Sequence, residues 1–134
     1  MITILLEKIK ALLSELKTNI ENISIGEDIT DNITLLNSGT YNVNKLKVTI
    51  DDKLCYVYFD INMTAGLDRL NFLQGLPLPD SVDNKAYFVA FDYTQTQIRT
   101  CYVDNNGTAG LFYDLFQISH HYNMCFFYPY KKED

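Results

Sequence analysis

The 134-residue sequence predicts a mainly β protein with one N-terminal α-helix, its strands forming an antiparallel β-sandwich. Three observations predict this. Apolar residues stand at Ile2, Leu6, Ile9, Leu13, Leu16, Ile20 and Ile23, spaced alternately by four and three, which is the period of a helix. From Ile33 onward the period falls to two: in "KLKVTI" (45–50), Leu46, Val48 and Ile50 alternate with Lys45, Lys47 and Thr49. Polar turn signals then separate short apolar runs, the pattern of about six to eight strands packed as a sandwich.

In the helix, residues 1–25, a heptad frame places Leu6, Leu13 and Ile20 at position a and Ile2, Ile9, Leu16 and Ile23 at position d. Leu at a with Ile at d disfavours a parallel dimer and favours three or four strands, because knobs enter holes differently in the larger coils. Leu5 and Leu12 at g widen the stripe, and Lys10 and Lys17 at e rim it. The same broad face also suits a helix packed on its own sheet, so periodicity alone leaves both arrangements open.

Gly26, Asp28, Asp31 and Asn32 stop the helix, and "GEDITDN" (26–32) reads as a polar linker to a head domain over 33–134. "KLCYVYFDI" (53–61) follows Asp51-Asp52, a tight turn. Residues 63–84 carry Gly75, Pro77 and Pro79 and read as loop, with a short strand or turn near Phe72 and Leu73. "KAYFVAFDY" (85–93) and "IRTCYVD" (98–104) flank the polar "TQTQ", and Asn105, Asn106 and Gly107 form the strongest turn signal in the chain. "TAGLFYDLFQI" and "YNMCFFYPY" supply the last, aromatic strands.

With 47% hydrophobic residues and about 110 residues past the helix, the chain can bury one core. A formal charge of −6 removes the overall phosphate attraction that nucleic-acid binding needs, and disfavours anionic membranes. Glu7, Lys8, Lys10, Glu15 and Lys17 interrupt the N-terminal apolar residues at every turn, leaving neither a signal-peptide core nor a membrane span. Cys55, Cys101 and Cys125 are an odd number in apolar runs, which points to free thiols in a reducing compartment.

No enzyme signal stands out, and no cofactor is expected. His120 and His121 are adjacent, so on a strand their rings point to opposite faces and cannot share one metal. The three cysteines sit where burial raises a thiol pKa and silences it as a nucleophile. The aspartates, among them Asp60, Asp92 and Asp114, are scattered and read as turn residues. Tyr93, Tyr113 and Tyr122 flank turns, and loop tyrosines on a rigid sheet offer large contact area at low entropy cost. With His120 and His121 they are the candidate ligand contacts.

Taken in order, the short coil, "ITLLNSGTYNVNKLKVTIDDKLCYVYFDINMT", "LQGLPLPDSVDNKAYFVAFDYTQTQIRTCYVDNNGTAG" and a final aromatic strand resemble the C-terminal head domains of bacteriophage fibre and baseplate-appendage proteins. The likeness covers about residues 33 to 130. It implies a trimeric, jelly-roll-like head on a parallel coiled-coil stalk, at the virion surface. It implies structural roles for Gly75, Leu76, Pro77 and Pro79 as an ordered crossing loop, and for Asn105, Asn106 and Gly107 as a hairpin turn. The expected partners are two further copies of the chain, other virion proteins held through residues 1–25, and, for the head, host-surface carbohydrate or another virion protein. A short head fibre, capsid decoration or baseplate appendage is expected rather than a long tail fibre. The alternative is a monomeric carbohydrate- or protein-binding module whose helix covers one sheet.

Overall fold

The computed structural model describes residues 2–22 and 26–132, and for residues 18–22 the backbone alone. The fold is mainly β, with one N-terminal helix and a curled antiparallel sheet. Helix α1 spans Ile2–Asn22, about 32 Å at 1.5 Å per residue. Strands follow at Glu27–Asp28 (β1), Thr34–Leu35 (β2), Tyr41–Ile50 (β3), Leu54–Met63 (β4), Leu67–Asp68 (β5) and Asn71–Gln74 (β6). Then come Ala86–Asp92 (β7), Gln97–Val103 (β8), Ala109–Leu111 (β9), Leu115–Phe116 (β10) and His121–Pro129 (β11). There are more strands than the sequence predicts, and β3 and β4 are long, at 10 residues each.

Nine strands form one sheet in the order β1-β3-β4-β11-β7-β8-β9-β6-β2, and β10 pairs with β5 separately. Laid flat, nine strands would span about 38 Å from edge to edge. Yet the two edge strands β1 and β2 are joined by residues 29–33 alone, a connection that reaches about 20 Å at most. The sheet therefore curls until its edges approach each other. Its concave side encloses the core, where Phe59, Phe72, Phe116 and Tyr122 stack in series at centroid distances of 5.7, 6.0 and 4.1 Å.

The segment 26–32 is no free linker. Glu27 and Asp28 pair with Ile50 and Thr49 at the edge of β3, and the Asp28 carboxylate accepts hydrogen bonds from the Thr30 amide and hydroxyl. Its polar composition reads as loop because an edge strand exposes most of its side chains while its backbone is paired. The Asp51 turn behaves as its sequence suggests: the Asp51 carboxylate accepts from the Lys53 and Leu54 amides and closes the β3–β4 hairpin.

The two predicted structural turns pack on each other. Gly75 (φ 95°) and Gly107 (φ 75°) both occupy the left-handed region, and the Leu76 amide donates to the Gly107 carbonyl at 3.1 Å. A Cβ at Gly107 would press into the Leu76 carbonyl oxygen. Asp104 holds the Asn105-Asn106-Gly107 turn by accepting from the Asn106 and Thr108 amides. Pro77 accepts from the buried Tyr128 hydroxyl at 2.8 Å, and Pro79 bridges to Tyr130, so residues 76–79 lie across the end of β11.

Within α1, Ile2, Leu6, Ile9, Leu13 and Leu16 are 44–77% exposed, as are Leu5 and Leu12 beside them. The stripe is not buried against the chain's own sheet. The Ile20 side chain and Ile23 lie outside the described residues.

Candidate functional site

Asp60 is the centre of a polar cluster on the convex face. It sits in the middle of β4, where Asp is depleted, at a position that alternation turns away from the core, since Phe59 and Ile61 on either side are fully buried. The neighbouring strands converge on it. From β11, His121 Nε2 lies 2.7 Å from Asp60 Oδ1, and Asn123 Nδ2 donates to Oδ2 at 2.8 Å and to the Tyr58 hydroxyl at 3.1 Å. From β3, Asn44 Nδ2 donates to Oδ1 at 2.8 Å.

The Asn44 contact depends on a β-bulge. Val43 pairs with Ile61 and Lys45 with Asp60, so Asn44 is an extra residue in β3. The bulge reverses the inward parity from Tyr41 to Leu46, Val48 and Ile50, and it turns Asn44 and Lys45 together toward the Asp60 side. Burial alone would raise the Asp60 pKa, but the bonds from Asn123, Asn44 and His121 outweigh it and hold the carboxyl below its ordinary value.

The β7–β8 turn adds an aromatic flank. Tyr93 stacks on His121 at 4.9 Å between centroids and is 55% exposed, and its backbone amide donates to the His121 carbonyl. Thr94 Oγ1 accepts from the His121 amide at 3.1 Å. Two side-chain-bearing residues in the left-handed region frame this corner, Thr96 (φ 56°) in the turn and Ser119 (φ 66°) just before the histidines. For β-branched Thr96 that conformation is costly, so packing and hydrogen bonds around it must hold the turn in place.

His120 takes the opposite side. Its Nδ1 lies 2.8 Å from Asp92 Oδ2, and Asp92, fully buried, also accepts from the Thr94 and Gln95 amides through Oδ1. Burial raises the Asp92 pKa, while His120 and the two amides bring it below its ordinary value. The adjacent histidines thus serve two different carboxylates on opposite faces, as neighbouring residues at the start of a strand should. Among the described residues, no three His, Cys, Asp or Glu side chains gather where a metal could be held.

Of the five candidate contacts, Tyr93 and His121 come together on the convex face, and His120 lies behind them with a side chain only 13% exposed. Tyr122 does not belong there. It is fully buried against Phe116, and its hydroxyl accepts from the Gln117 amide, because β11 alternation turns it inward. Tyr113, 72% exposed, packs on Phe112 at 4.0 Å, in a separate aromatic group with Tyr87 and Tyr102.

Sequence reasoning missed Asp60, Asn44, Asn123 and Tyr58. Two signals were available: an Asp inside an otherwise apolar run, "YFDIN", and the break in alternation between Val43 and Leu46, which marks a bulge. Beside the cluster, Lys45 and Tyr58 also line a groove of about 420 Å³ that runs to Tyr56 and Phe127 across the convex face. Lys45 Nζ lies 5.4 Å from the Tyr58 ring centroid.

Two cysteines are closed to chemistry. Burial pushes the Cys55 thiol up to about 11 and also raises that of Cys101. Cys125 departs from the expected burial: β11 alternation turns Met124 inward and leaves Cys125 exposed on the groove. No helix among the described residues is long and apolar enough to cross a membrane. No protein-family model matches the sequence, and no curated protein or solved structure matches it.

Proposed function

We propose that the protein is a short, non-enzymatic fibre of a bacteriophage particle, a head fibre, capsid decoration or baseplate appendage. Helix α1 assembles three copies and anchors them among other virion proteins, and the β-head, packed as a sandwich, projects outward to bind carbohydrate of the host surface. One observation carries this reading: seven large apolar side chains at a, d and g positions are uncovered along α1 in the single chain. A helix that covered its own sheet would bury such a face, whereas a seam leaves it for its copies. The resemblance over about residues 33 to 130 to phage fibre heads supplies the setting.

Light scattering on a size-exclusion column tests the assembly. The expected mass is three times 15.5 kDa. Removal of residues 1–25 is expected to yield a soluble monomeric head. A monomeric full-length chain whose head aggregates once the helix is removed would favour the covering-helix module instead.

A further inference from the structure

We infer that the convex-face cluster around Asp60 is a binding site for an uncharged pyranose unit of a glycan, with Asn44, Asn123, His121 and Tyr93 as its contacts. This rests on the outward-facing head proposed above and names the class of ligand and the place. Sugar recognition needs an array of fixed polar atoms for adjacent hydroxyls, beside an aromatic face for the C–H side of the ring. Both are present within one hydrogen-bonded network.

Asp60, 6% exposed, acts as a positioning residue. It takes one amide nitrogen each from Asn44 and Asn123 and so fixes both side chains; among the described residues nothing bonds their oxygens, which can accept from hydroxyl donors. His121, bonded to Asp60 through Nε2, keeps Nδ1 available as a further polar contact. Tyr93 supplies the exposed ring, clamped against His121 and held by the bond from its own amide to the His121 carbonyl. Preorganisation of this kind lowers the ordering cost of binding. The β-bulge at Asn44 brings that side chain to Asp60, and the left-handed Thr96 and Ser119 shape the turn and loop beside Tyr93 and His121.

Asp60 and Lys45 bring opposite charges to this side of the sheet, so neither sign of ligand charge is favoured overall and an uncharged ligand suits the site. The groove from Tyr58 toward Phe127 leaves room for further sugar units along the chain of the glycan.

Saturation-transfer NMR on the full-length protein tests this with the methyl glycosides of glucose, galactose, mannose, N-acetylglucosamine and glucuronic acid. Transfer to ring C–H protons of at least one neutral glycoside is expected, with amide shifts at Asn44 and Asn123. Tyr93→Ala and Asn123→Ala should each weaken binding about tenfold or more, while Tyr113→Ala leaves it unchanged. Normal circular dichroism of the variants separates this loss from misfolding. No transfer to any neutral glycoside, transfer to the glucuronide alone, or binding indifferent to Tyr93→Ala would each overturn the inference. The oligomeric mass is measured separately: a trimer that binds no sugar sinks the site and spares the fibre, and a sugar-binding monomer does the reverse.

Discussion

Asp60 and Asp92 are the residues whose protonation the fold feels most directly. Each is buried and hydrogen-bonded as a carboxylate, and each has its folded pKa depressed below the ordinary value near ~3.9. A depressed carboxyl pKa contributes stability that is fully present above the unfolded value and is lost as pH falls through the folded one. The melting temperature is therefore expected to hold at mildly acidic pH and to fall steeply below about pH 4, with a shallower fall in Asp92→Asn, as followed by circular dichroism. Gly107 carries a different kind of constraint. Its φ of 75° and the Leu76 carbonyl against it leave no room for a side chain, so Gly107→Ala should cost about 1–3 kcal/mol, read as a lower urea midpoint. That glycine and its Asn-Asn turn are visible in the sequence, because backbone freedom is a property of the residue itself. The Asp60 carboxylate looks like one more turn aspartate there, because its partners arrive from β3 and β11, 16 to 63 residues away.

Among the elements, α1 is the one whose apolar stripe the chain itself leaves uncovered. An isolated helix of this length is marginal in water, so its persistence requires its apolar stripe to be covered. If α1 joins three copies as proposed, replacing Leu6 and Leu13 with Asn is expected to give a monomer on a sizing column while the near-ultraviolet spectrum of the aromatic head is retained. Helix and strand periods are read from the chain because each repeats over one continuous segment; β4, β7, β8, β11 and the part of β3 from Lys45 onward lie where the sequence places strands, while the bulge at Asn44 hides the start of β3. The short strands β1, β2, β5 and β10 do not show themselves. With two residues each, they have no period, and only the longer strands they pair with define them.

For the whole molecule, the head and the stalk stand on separate sources of stability. The head encloses its own aromatic core inside one curled sheet, while in the proposed fibre α1 would depend on association. Thermal unfolding over a hundredfold range of protein concentration is expected to show this: a transition of α1 that moves up with concentration, and a head transition that does not. A single concentration-dependent transition would mean that the heads also share buried surface.

The sequence by itself determined the helix and its stripe, the long strands and the two glycine turns, since each follows from a local period or from one residue's conformational range; of the three cysteines in apolar runs, it did not tell the buried Cys55 and Cys101 from the exposed Cys125. Only the tertiary structure decided the rest: that the sheet curls until β1 and β2 approach, that 26–32 joins its edge, that Tyr122 turns inward, and that His120 and His121 part toward Asp92 and Asp60. The physical reason is register. A strand's own sequence tells which of its side chains share a face, and only its pairing with distant strands tells what meets them there.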